Sequence, residues 1–136
     1  MRRVADWETA LHSFLEAKRG EGHAYGRHDC LLFVGGAVLA LTGEDLICQH
    51  LGRYRTERGA ARYLRQLGAE TPEQYLDRLL DALPVGFAGR GDIVLCDGIP
   101  GLCAGAEALF VPLEGAEYVA EPRSRWTKAW AVGERA

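Results

Sequence analysis

Cys30 to Leu41 is an unbroken run of apolar residues and glycine. Asp29 stands before it as a candidate N-cap, and Thr42-Gly43 closes it. The run therefore reads as a helix that is apolar almost all round, which belongs at the centre of a domain. It falls short of the ~18 consecutive apolar residues of a membrane span, and no membrane span is expected elsewhere. The rest of the chain must cover this helix. At 136 residues it has the length for one domain, residues 1–136, around one main core. Gly35 and Gly36 weaken the helix and predict that another element packs closely against it.

The flanking segments supply that cover. Trp7, Leu11, Phe14 and Leu15 recur at helical spacing and predict an amphipathic helix over residues 6–18, capped by Asp6 and stopped at Gly20 or Gly22. A loop with glycine and histidine, residues 22–28, leads into the apolar helix, and a short turn follows it at residues 44–48. A third helix is expected from Thr56 to Gly68. Thr71-Pro72-Glu73-Gln74 combines a capping box with proline at the first helical position, so a fourth helix carries Tyr75, Leu76, Leu79, Leu80 and Leu83 and stops before Pro84. From Gly91 the texture changes. Residues 92–96 read as a strand and Asp97-Gly98 as a turn. Residues 102–104, 108–113, 118–120 and 126–132 follow as short strands between glycines and prolines. Helices first and a strand meander second predict an α+β fold, a helical N-terminal half packed on a C-terminal antiparallel β-meander. Trp7, Trp126 and Trp130 are expected to anchor its core.

Charge and cysteine usage narrow the function. Hydrophobic residues make up 48% and charged residues 26%, a globular composition. The net charge of −3 argues against a protein that coats nucleic acid, and no nucleic-acid partner is expected. Arg53, Arg55, Arg58, Arg62 and Arg65 cluster nonetheless; they read as a solvated helix face that can pair with carboxylates on a partner. Arg53, Tyr54 and Arg55 are candidate binding residues, with loop anchoring as the alternative. The cysteines Cys30, Cys48, Cys96 and Cys103 match no zinc or CxxC spacing, so no metal and no cofactor is expected. No secretory pattern opens the sequence, and reduced thiols are the expectation. Cys96 and Cys103 fall in strand patterns as core or edge residues.

The chemically suggestive segment is Tyr25-Gly26-Arg27-His28-Asp29-Cys30. It delivers a cysteine to the first turn of the apolar helix. Free N–H groups and a partial positive charge there favour a thiolate, a candidate nucleophile. The competing reading is a small apolar residue at a helix start. Asp29 is better explained as the N-cap than as a catalytic acid. Among the histidines, His28 is the candidate base, since a loop residue just before a helix start can fold back over it; His23 and His50 read as surface or loop residues.

Tyr25-Gly26, Asp29-Cys30 and Gly91-Asp92-Ile93-Val94, with Gly52-Arg53-Tyr54-Arg55-Thr56 and Gly59-Ala60 between, resemble the ordered motifs of NlpC/P60 (papain-like) cysteine hydrolases over residues 6–132. The pattern is most similar to a small NlpC/P60-like family of phage and prophage tail gene clusters. The resemblance implies a papain-like NlpC/P60-type fold with Cys30 as nucleophile. It also implies a histidine on a later strand, and there this chain departs. That position falls on Ile99, next to Pro100, and no histidine follows His50. The resemblance therefore implies a tail-tip or tail-assembly component with a degenerate catalytic site, which docks other tail proteins. Its location would be the virion tail, or the host cytoplasm before assembly. The alternative is an active cysteine hydrolase that cuts peptidoglycan peptides during entry.

Overall fold

The computed structural model describes residues 1–134. Four helices come first: α1 (Trp7–Lys18), α2 (Cys30–Thr42), α3 (Glu57–Gln66) and α4 (Pro72–Leu79). Six strands follow: β1 (Ala82–Leu83), β2 (Ile93–Cys96), β3 (Ile99–Cys103), β4 (Glu107–Phe110), β5 (Val119–Pro122) and β6 (Lys128–Trp130). The fold is α+β.

α2 is the central element that its composition demands. Phe33, Val34, Ala37, Val38 and Leu41 are all buried. The Asp29 side chain accepts from the Leu32 N–H, and Gly43 ends the helix in the left-handed conformation. The two glycines mark close approaches. A Cβ on Gly35 would stand 2.5 Å from the Ile47 Cβ, and one on Gly36 would stand 2.7 Å from the Phe14 ring. The helix is thus gripped from two sides, by α1 and by the turn that follows α2.

The strands form one antiparallel sheet in the order β1-β6-β2-β3-β4-β5. The meander expected from the sequence holds for β2 to β5. The last strand departs from it: β6 returns across the sheet and inserts between β1 and β2. The reason lies in β2, whose four residues are all buried. Ile93 and Leu95 face the α2 core. Val94 and Cys96 face a second, smaller core with Cys103, Ala108, Phe110, Trp126 and Ala129. A strand buried on both faces needs a neighbour along each edge, and β6 supplies the second one.

Two boundaries move relative to the sequence pattern. The fourth helix ends at Leu79, and Leu80 is already extended; Leu83 lies in β1, paired with Ala129. The helical spacing of Leu80 and Leu83 is coincidental, because the edge of β6 offers that segment a ladder. β3 begins at Ile99 rather than Leu102, because Asp97 and Gly98, both with positive φ, form a two-residue hairpin turn. Pro100 is tolerated in β3 because β4 pairs only from Leu102 onward, leaving one side of Pro100 without a ladder. At the start of α1, Asp6 occupies the N-cap position but its side chain makes no capping bond.

Asp92 closes the domain. Its carboxylate accepts from Arg3 Nη2 at 3.0 Å, from the Val132 N–H at 3.0 Å and from the Gly89 N–H at 2.9 Å. The Gly-Asp pair that resembles a family motif is here a knot between the start of the chain, the entry to β2 and the exit from β6. Trp130 is fully buried and donates from Nε1 to Asp77 at 2.9 Å.

Candidate functional site

Cys30 lies in the first turn of α2, at a cleft of about 400 Å³ between α2, α3, the start of α4 and the turn into β3. The loop that delivers it is stitched by Asp29. One carboxylate oxygen accepts from the Leu32 N–H at 3.0 Å. The other accepts from the Gly26 N–H at 2.9 Å and the Tyr54 hydroxyl at 2.7 Å. The Gly52 N–H donates to the Gly26 carbonyl at 2.7 Å. Gly26 has φ +79°, and a Cβ there would lie 1.8 Å from the Tyr54 carbonyl oxygen. Only glycine fits where the two loops cross. Asp29 is therefore cap and clamp together. Tyr54, a candidate binding residue, is half-buried, anchors this clamp and also lines the cleft.

The electrostatics oppose the thiolate that the helix start was expected to favour. The Cys30 thiol is pushed up to about 12, first by desolvation and then by the Asp29 carboxylate beside it. Backbone N–H groups of the helix start act the other way and are outweighed. The same desolvation, with the bond to Asp29, raises the Tyr54 hydroxyl. At neutral pH the thiol is protonated.

The histidines distribute unexpectedly. His28, expected on the loop and able to fold over the helix start, is buried and stands edge-on to Phe33 with ring centroids 6.0 Å apart. It is not among the residues lining the cleft. Burial lowers its pKa. His23 and His50 do line the cleft. His50 is half-buried: Nδ1 lies 2.6 Å from the Tyr63 hydroxyl and Nε2 lies 3.0 Å from the Tyr75 hydroxyl. Both ring nitrogens are thus engaged by phenols, and burial, then Arg53, holds its pKa down. The sequence offers little sign of this rack, since its members are far apart in the chain. The one available signal is the phase of α3, which puts Tyr63 beside Ala60, Leu64 and Leu67 on one face; all four line the cleft.

Ile99, Val111 and Leu113 complete the wall on the sheet side. Ile99, where the resemblance places a histidine, is at the cleft and is aliphatic. Arg53 and Arg55 are exposed and do not line it. Cys96 and Cys103 are buried in the smaller core. Among the described residues, no group of three or more His, Cys, Asp or Glu could hold a metal ion. No helix among them is long and apolar enough to cross a membrane.

His28 and His50 are both kept neutral by burial, and this carries a pH prediction. A group whose pKa is depressed by folding contributes stability above its unfolded value and loses it as pH falls. Stability should therefore drop as pH falls below about 6.5, the unfolded histidine value. His50→Gln should flatten that acid limb in urea unfolding followed from about pH 7 to pH 5. An unchanged limb would remove His50 from the account.

A family model described as a domain of unknown function, DUF6950, matches residues 2–132. No curated protein matches the chain.

Proposed function

The chain belongs to the DUF6950 family, and we propose that it is a phage or prophage tail-tip or tail-assembly component. It is built on an NlpC/P60-like scaffold whose cysteine site no longer catalyses hydrolysis, and it works by docking other tail proteins. The tail assignment rests on the motif resemblance across residues 6–132. The loss of chemistry rests on one observation: the cleft that Cys30 lines carries aliphatic Ile99 where the resemblance places a histidine, and burial pushes the Cys30 thiol up rather than down. Without a base at that position, proton transfer to the leaving group is lost, a deficit of about 10²–10⁴-fold.

His50 in the same cleft favours a second reading, an active cysteine hydrolase acting on peptidoglycan peptides. It would have to release Tyr63 or Tyr75 to act as base. Two measurements decide. Proteomics of purified particles should find the chain in the virion or bound to tail proteins. Incubation with peptidoglycan stem peptides should leave them uncut. Turnover abolished by both Cys30→Ala and His50→Gln would replace the first reading with the second.

A further inference from the structure

Eight of the described cations are held by partners within the chain. Arg3, Lys18, Arg19, Arg90, Arg125 and Lys128 each lie within 4.0 Å of a carboxylate oxygen. Arg78 and Arg123 donate to backbone carbonyls. The arginines of α3 do neither. Arg58, Arg62 and Arg65 are exposed, and none has an ion pair or a side-chain hydrogen bond among the described residues.

Their spacing, i, i+4 and i+7, stacks them along one face of the helix. The opposite face carries Ala60, Leu64 and Leu67, which line the cleft, so the arginine stripe points away from it. Like charges at this spacing repel and weaken a helix. The only acidic residue of α3 is Glu57 at its start. Arg55, just before the cap, is exposed and adds to the same region.

We propose that this stripe is a docking surface for an acidic segment of a partner protein. Three guanidinium groups over a rise of about 10 Å match carboxylates on a short helix or strand, and each offers a bidentate fork. A nucleic acid fits less well. Its affinity grows with the number of phosphates neutralised, and this stripe is short, on a chain of net charge −3. The surface is separate from the Cys30 cleft, and the inference stands whether or not that cleft retains chemistry.

The test uses the full chain and an alternating Glu-Ser peptide of about 12 residues, with duplex DNA of about 20 base pairs as competitor. The peptide should bind at low salt and weaken as salt rises. The triple variant Arg58→Gln, Arg62→Gln, Arg65→Gln should bind it about tenfold more weakly, while its melting temperature holds or rises because the repulsion is gone. Arg27→Gln, at an exposed arginine elsewhere, should bind normally. Arg62→Gln alone gives the same reading, about threefold, if the triple variant fails to fold. Absence of peptide binding, undiminished binding by the α3 variants, or displacement of the peptide by less DNA than peptide would each overturn the proposal.

Discussion

Replacing Asp92 with alanine is expected to cost about 3–5 kcal/mol of folding stability, the usual consequence of removing one partner of a buried ion pair. The Arg3 side chain is 0% exposed and that of Asp92 5%. Arg3 also donates from Nε to the Val132 carbonyl at 2.8 Å and from Nη1 to the Arg90 carbonyl at 2.7 Å. Alanine would leave the guanidinium buried without its carboxylate and leave the Val132 and Gly89 N–H groups without an acceptor. Against a typical total of about 5–15 kcal/mol, that is a large share. Asp92→Asn keeps an acceptor but removes the charge, and should fall between wild type and alanine. Urea unfolding midpoints measure this directly. A loss under about 1 kcal/mol, the worth of one ordinary hydrogen bond, would mean that Arg3–Asp92 is not the clamp described.

Iodoacetamide should alkylate Cys30 about 100-fold more slowly than a free cysteine peptide at neutral pH. A thiol at about 12 carries on the order of 10³-fold less thiolate than one near 8.5, and the greater nucleophilicity of its thiolate returns part of that. The rate should keep climbing past pH 10, where a free thiol with a pKa of about 8.5 has already levelled off. Cys48→Ser is the right background, because Cys48 is the other partly exposed cysteine. The same shift has a sign for stability. A thiol raised by folding contributes stability in full below about 8.5 and loses it as pH rises toward its folded value, so alkaline conditions should weaken the domain. A labelling profile that levels off below pH 8.5 would restore a reactive nucleophile.

Much of this fold is legible in local chemistry. The caps at Asp29, Thr56 and Thr71, the stop at Gly43 and the turn at Asp97-Gly98 are decided by neighbours in sequence, and each lies where the pattern puts it. Gly35 and Gly36 announce close packing, though not by which partners. What the pattern misses depends on distant segments. Leu80 and Leu83 keep helical spacing, yet β6, some 45 residues on, draws them into extended structure. In the cleft, Cys30 at a helix start is readable, but the sign of its shift is not. The helix N–H groups are local, whereas the desolvation comes from the walls of the cleft. His50 fails to stand out for the same reason, because Tyr63 and Tyr75 reach it from two other helices.

The position of β6 also sets an order of events during synthesis. Every helix leaves the ribosome before the sheet that buries α2 exists. β2 cannot be paired along both edges until Trp130 has been made. At about 5–20 residues per second, α2 waits several seconds with its apolar sides uncovered by the sheet. During that interval it is the part of the nascent chain most prone to stick to other apolar surfaces and the natural target for a holding chaperone. A chain released short of β6 would stay in that condition.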